Sequence, residues 1–215
     1  MQKIGIIGGM GPYATVDFVR NILDLTIVKK DSDHIPLLIH CDATIPSRTR
    51  CVLYNEESPV NRTVEAINSI GNLVDFVALP CNSIHYWYYE ISEKININWF
   101  NMLEVVTKNL KPPTLVIGSF IAMERGLYDT YIETCYLENK EIVYDTIEYL
   151  KLGHIKNVQK LVDEVKKYVK KHQVGSVLLA CTELTGIDFG LGVPVVDTSM
   201  EYARKCVEII RGASK

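Results

Sequence analysis

Val77-Ala78-Leu79-Pro80-Cys81-Asn82-Ser83 is an apolar run that ends in a proline and is followed by a thiol, an amide and a hydroxyl. A short, continuously apolar run suits a strand covered on both faces, which predicts a central strand of a parallel sheet. The polar triplet then lies at the strand's carboxyl end, where ligands bind in open parallel sheets. Val177-Leu178-Leu179-Ala180-Cys181-Thr182-Glu183 has the same form 100 positions later. Two thiols at two similar strand ends are the strongest functional signal in the chain.

The flanking sequence repeats one plan around each thiol. In the first half, Lys3 to Ile7 predicts a strand and Gly8-Gly9-Met10-Gly11 a turn. Pro12 opens a helix to about Leu25, because the N–H it lacks has no partner in the first helical turn anyway. Ile35 to His40 predicts a second strand and Thr44 to Thr49 a loop; Glu56-Glu57-Ser58-Pro59 precedes a helix through about Ile70 with Val60, Val64, Ile67 and Ile70 on its core face. Val74 to Leu79 is the third strand, followed by a helix over Ile84 to Ile91 and a short strand-like run from Ile95 to Phe100. Lys111-Pro112-Pro113 is the clearest break. Beyond it come a strand at Thr114 to Ile117, Gly118-Ser119, a helix over Phe120 to Tyr136, an amphipathic helix over Val158 to His172, and a strand at Val177 to Leu179. A short strand at Val193 to Asp197 and a last helix from Met200 to about Ile210 complete the chain. Strand and helix alternation predicts α/β architecture with parallel sheets. The internal echo predicts two pseudo-symmetric lobes, each a short, mostly parallel sheet flanked by helices, with the site in the cleft between them. The expected lobes are residues 1–111, joined by the C-terminal helix 200–215, and residues 112–199.

Bulk properties exclude several function classes. A chain of 215 residues, 47% hydrophobic and 23% charged, can bury a full core. A net charge of −3 offers no basic field for nucleic acid or an anionic membrane. No apolar stretch is long enough to span a bilayer. The start, Met1-Gln2-Lys3-Ile4-Gly5-Ile6-Ile7, is too short and Gly-rich for a signal peptide, so a cytoplasmic protein is expected. The six cysteines, Cys41, Cys51, Cys81, Cys135, Cys181 and Cys206, are dispersed without a CxxC pair, which argues against a disulfide framework.

Two thiols on opposite sides of a small ligand suit stereoinversion. One thiolate takes the Cα proton and the opposite thiol returns one to the other face. Free cysteine titrates near 8.5, so a modest shift brings it into range. Asn82, Ser83, Thr182 and helix N-termini could supply donors for the thiolate and the substrate carboxylate. The bland alternative for each thiol is a small buried apolar residue; the repeat around the pair favours function.

At these residues the chain resembles the PLP-independent aspartate/glutamate racemase family, the aspartate racemase branch of the Asp/Glu/hydantoin racemase superfamily. The resemblance covers nearly the whole chain. It rests on Ile6-Ile7-Gly8-Gly9-Met10-Gly11-Pro12 with Thr15 and Phe18, Asp33-His34-Ile35-Pro36, Ile45-Pro46-Ser47-Arg48-Thr49, Pro80-Cys81-Asn82-Ser83 with His85-Tyr86, and Ala180-Cys181-Thr182-Glu183-Leu184. The Asp-Ser opening of the cell-wall glutamate racemase branch is absent. The resemblance implies cofactor-free racemisation of an acidic amino acid, aspartate first and glutamate second. It also implies a homodimer, with no nucleic acid or membrane partner and no cofactor or metal. It assigns Cys81 and Cys181 as the acid–base pair and Met10, Arg48, Asn82, Ser83, Ser119, Lys151 and Thr182 as substrate-binding residues. Arg48 suits a carboxylate because guanidinium can donate two parallel hydrogen bonds; otherwise it reads as a loop charge and Lys151 as a helix-end charge. The chain departs from the family pattern at Ala122 and Arg125, where hydroxyl residues are usual, and is short between Tyr128 and Lys151.

Other readings compete. Gly9-Met10-Gly11-Pro12-Tyr13-Ala14 fits a dinucleotide fingerprint, but the acidic residue expected about 20 positions later is missing and that strand ends near Cys41-Asp42. Cys81 and His85 at i, i+4 spacing could form a thiol–imidazole pair, although His85 packing or orienting a neighbour is the simpler reading. A zinc site from Cys81, His85 and Cys181 lacks a ligand-spaced cluster. Within the superfamily, hydantoin racemase and maleate isomerase are alternatives, two thiols disfavour a decarboxylase, and a non-catalytic small-anion binder is the non-enzymatic option. The aromatic run Tyr86 to Tyr89 reads as core or dimer contact, and the Lys166-Lys167 and Lys170-Lys171 pairs as a solvated helix face.

Overall fold

The computed structural model describes residues 2–154 and 158–212. The outer ends of the expected lobes, at residue 1 and residues 213–215, lie outside the described residues. The first sheet is parallel, in the order β2-β1-β3, from β1 (Ile4–Gly8), β2 (Leu37–Cys41) and β3 (Phe76–Ala78). In its register Ile6 stands between Ile39 and Ala78. α1 (Pro12–Leu25), α2 (Arg48–Tyr54), α3 (Pro59–Gly71), α4 (Tyr88–Ser92) and α5 (Met102–Val106) belong to this half. The second sheet is also parallel, in the order β5-β4-β6-β7, from β4 (Thr114–Gly118), β5 (Thr134–Cys135), β6 (Ser176–Ala180) and β7 (Val195–Asp197). Its helices are α6 (Phe120–Glu124), α7 (Glu141–Lys151) and α8 (Val158–Lys171), and α9 (Thr198–Gly212) closes the chain.

All five residues of β1, β4 and β6 are buried, as the apolar runs require. Alternate side chains feed different cores. Ile4 and Ile6 join a core with Phe18, Ile22 and the second sheet, whereas Ile7 and Val77 pack with Val60, Ile67 and Leu79 on the other face. α9 lies against α1, with the Phe18 and Tyr202 rings 5.8 Å apart and Asn21 Nδ2 donating to Ser199 Oγ at 3.2 Å. Tyr202 also donates to Phe100 O at 3.0 Å. The C-terminal helix therefore ties into the first half while it continues directly from β7 of the second.

Several sequence expectations are corrected. The helix expected over Phe120 to Tyr136 ends at Glu124 because Gly126 turns the chain with φ of 56°; β5 follows on the sheet edge. The helix expected over Ile84 to Ile91 is a 3-10 turn, Asn82–Trp87, running into α4. Arg48 and Thr49, expected in a loop, open α2, where Ser47 Oγ accepts from Arg50 N–H at 3.3 Å. Ile95 to Phe100 forms no strand, although Val77 N–H of β3 donates to Asn98 O at 3.0 Å. The same bond recurs in the other half as Val177 N–H to Pro194 O at 2.9 Å, where β7 does form. α5 and α7 had no expectation, although Asn101 caps α5 by accepting from Leu103 N–H at 3.0 Å.

Candidate active site

The two cysteines end their strands in matching ways. Leu79-Pro80 carries β3 to Cys81, and β6 runs through Ala180 to Cys181. A 3-10 turn begins at the next residue in each case, Asn82 and Thr182. The first N–H groups of such a turn have no partner within it, so each strand end offers backbone donors beside its thiol. Both thiols are buried, free, and line one cavity between the two sheets. Met10, Ser47, Arg48, Thr49, Asn82 and Ser83 line it from one side. Ser119, Lys151, Thr182 and Glu183 line it from the other. The structure thus brings together every residue singled out as a site candidate from the sequence.

Hydrogen bonds lace the halves together around this cavity. Ser83 Oγ and Ser119 Oγ are 2.7 Å apart, Thr182 Oγ1 donates to Pro80 O at 3.2 Å, and Asn82 Nδ2 donates to Thr198 Oγ1 at 2.9 Å. The buried Tyr128 hydroxyl donates to Asn82 Oδ1. Asn82 therefore has one side-chain N–H left for a ligand. The cavity measures about 30 Å³, room for about one or two water molecules. An amino acid enters only if these contacts loosen. A larger chamber of about 400 Å³, lined by Leu53, Tyr54, Phe120 and Tyr144, adjoins it and shares Thr49, Ser119 and Lys151.

Charge is unevenly placed. Arg48 donates from Nη2 to Met10 O at 2.8 Å and from Nη1 to Pro46 O at 3.1 Å, while its buried Nε has no partner. Lys151, the last residue of α7, pairs with Glu148 at 2.7 Å. Burial works against the Lys151 ammonium, but the neighbouring Cys181, Glu148 and Glu183 outweigh it and push its pKa up. The Cys181 thiol donates to Glu183 Oε2 at 2.9 Å. Burial and then the Glu183 charge push the Cys181 pKa well above the ordinary thiol value, against the opposing pull of Lys151. Burial and Glu183 therefore both favour the protonated thiol at Cys181. Among the described residues no hydrogen bond joins the Cys81 thiol to a carboxylate.

His85 serves the scaffold. Its Nε2 bonds Leu79 O at 3.1 Å, its Nδ1 accepts from Met102 N–H at 3.4 Å, and its ring stacks on Trp99 at 5.2 Å. Burial drops its pKa to about 4. Both ring nitrogens are engaged, so neither is left to pair with Cys81 or a metal ion. The dinucleotide reading also fails on geometry. Glu183 Oε1 lies 2.5 Å from where a Cβ on Gly11 would sit, placing a carboxylate where a pyrophosphate would have to approach α1. Arg125 is exposed and outside the cavity lining, and Ala122 is buried.

The Asp/Glu/hydantoin racemase family model matches residues 7–206. The chain belongs to that family. It is an amino-acid racemase. The broad specificity amino-acid racemase RacX of Bacillus subtilis (strain 168) is 24% identical over 222 residues, covering 95% of this chain and 96% of that one. The aspartate racemase of Picrophilus torridus superposes with a TM-score of 0.82 at 27% identity, over 99% of this chain and 95% of that one. An aspartate racemase homologue from Pyrococcus horikoshii OT3 shares the fold, with a TM-score of 0.76 at 23% identity over the whole of both chains. Among the described residues no helix is long and apolar enough to cross a membrane.

Sequence reasoning missed five participants: Glu183, Tyr128, Thr198, Ser47 and Thr49. Glu183 had a visible signal, since it stands two residues after Cys181 as Ser83 stands after Cys81. Tyr128 and Thr198 had none, because their partners are distant in sequence.

Proposed function

We propose that this racemase inverts aspartate without a cofactor, using Cys81 and Cys181 as the two acid–base groups. One observation carries the reading: two free thiols from equivalent strand ends line one small cavity together with two cationic side chains, Arg48 and Lys151. Cys181, held protonated by burial and Glu183, is the resting acid. In that direction the Cys81 thiolate takes the Cα proton, breaking C–H and forming S–H. The Cys181 thiol then delivers its proton to the opposite face, leaving Cys181 as thiolate. Charge that develops on the α-carboxylate is met by Ser83, Ser119, Thr182 and the turn N–H groups. Arg48 turns from its carbonyl partners to the side-chain carboxylate, which Lys151 meets from the opposite wall of the cavity.

Glutamate is the second reading. The adjoining chamber, reached past Thr49, Ser119 and Lys151, has the volume for a longer side chain, but Glu124, Glu141 and Glu148 on its walls oppose a carboxylate, which keeps aspartate first. The homodimer and cytoplasmic location belong to the same proposal, and light scattering of the purified protein checks the first. The function is tested by incubating purified protein with L-aspartate and, separately, L-glutamate, with no added PLP and with hydroxylamine to trap any that is carried along. Chiral chromatography should show D-aspartate forming, faster than D-glutamate. Absence of both D-enantiomers would refute the proposal.

A further inference from the structure

Glu183 Oε2 holds the Cys181 thiol, but Oε1 is buried and has no hydrogen-bond partner. A carboxylate oxygen stripped of water without a donor is costly, so its place at a ligand cavity points to a donor brought by the ligand. Among the described residues Glu183 is also the one carboxylate lining the cavity, beside the two cations Arg48 and Lys151. A dicarboxylic amino acid carries the mirror of that set: two carboxylates and one ammonium. Oε1 packs over Gly11, 2.5 Å from where a Cβ would sit, so a side chain at position 11 would displace it.

We propose that Glu183 Oε1 receives the substrate's α-ammonium, making Glu183 the residue that distinguishes amino acids from the corresponding deaminated acids. The proposal rests on the inter-sheet cavity being the place of reaction, as above. One carboxylate then holds both the ammonium and the Cys181 proton donor, which sets Cα beside that thiol. The ammonium keeps its proton there, and its positive charge eases loss of the neighbouring Cα proton.

The test is calorimetric titration of wild type, Glu183→Gln and Gly11→Ala with two ligands, racemic aspartate and succinate. Racemic aspartate is used so that turnover leaves the ligand composition unchanged. Succinate has both carboxylates and no ammonium. Glu183→Gln should weaken aspartate binding roughly ten- to hundredfold, the range for a hydrogen bond to a charged group. Succinate binding should stay the same or tighten. Gly11→Ala, which pushes Oε1 aside without altering any charge, should weaken aspartate in the same selective way and reads the proposal independently if Glu183→Gln fails to fold. Equal loss of both ligands, or undiminished aspartate binding, overturns the proposal and leaves the two-thiol site intact. A wild-type protein that binds neither ligand overturns the aspartate reading and this proposal together.

Discussion

Cys81 leaves its strand at φ −152° and ψ 114°, and Cys181 at φ −150° and ψ 129°. The carbonyl two residues before each thiol is capped in both halves, Leu79 O by the His85 ring at 3.1 Å and Leu179 O by Thr198 Oγ1 at 2.8 Å. The backbone is thus nearly the same device built twice. The difference lies two residues after each thiol. Ser83 is neutral and bonds across to Ser119, whereas Glu183 is a carboxylate bonded to its own lobe's thiol. In the proposed mechanism the repeated backbone sets the two thiols on opposite sides of one carbon, and Glu183 then favours the protonated form of Cys181. Symmetry of position does not require symmetry of charge.

The symmetric part breaks with either thiol. Cys81→Ala and Cys181→Ala should each lower kcat for racemisation by roughly a thousandfold or more, since in the proposed mechanism each thiol is the acid–base group for one face. Chiral chromatography reads this, and full activity in either variant would show that the two halves do not share the reaction.

The two carbonyl caps differ in what pH does to them. The His85 pKa falls from 6.5 to about 4 on folding, while Thr198 does not titrate. Unfolded chain binds the His85 proton more readily, so this stabilisation is complete above pH 6.5, declines as pH falls from 6.5 to about 4, and is gone below that. The contribution is about 3 kcal/mol. Urea unfolding should show that decline, and His85→Gln should flatten it; a wild-type curve level between pH 7 and 4 would contradict the buried neutral imidazole.

Arg48 sharpens the substrate side of the comparison. Arg48→Gln should raise KM for aspartate roughly ten- to hundredfold, because a charged hydrogen-bonding partner of the carboxylate is lost. Steady-state rates with aspartate and with alanine, which has no side-chain carboxylate, separate this from a general defect.

The asymmetric charge can be removed at its source. Without the Glu183 carboxylate, Glu183→Gln should let the Cys181 thiol react with iodoacetamide at lower pH than in wild type, with Cys81 little changed. Mass spectrometry of the alkylated peptides across a pH series resolves the two. The smallest effect is expected at Ser119, which caps α6 through Ala122 N–H and bonds Ser83. Ser119→Ala should cost about 1 kcal/mol of stability in urea unfolding.

Much of this was legible in the sequence because it was local. The strand ends at Cys81 and Cys181 follow from short apolar runs, and the two-sheet plan from their repetition. The polar pairs after each thiol marked the site. What stayed hidden depended on distance or on a single backbone angle. Gly126 ends α6 early through a left-handed conformation that helix periodicity does not reveal. Lys151 reaches the cavity only because α7 ends beside it. Tyr128 and Thr198 meet Asn82 across 46 and 116 positions, and no local pattern announces such a meeting.

The central claim is that two thiols act on opposite faces of Cα. Its most direct test is racemisation of L-aspartate in deuterated water, stopped at low conversion and read by chiral separation with mass spectrometry. With two bases, the D-aspartate formed carries solvent deuterium at Cα while the remaining L-aspartate keeps its original hydrogen. Early deuterium in both enantiomers to the same extent would mean that one group serves both faces, and would contradict the paired-thiol mechanism.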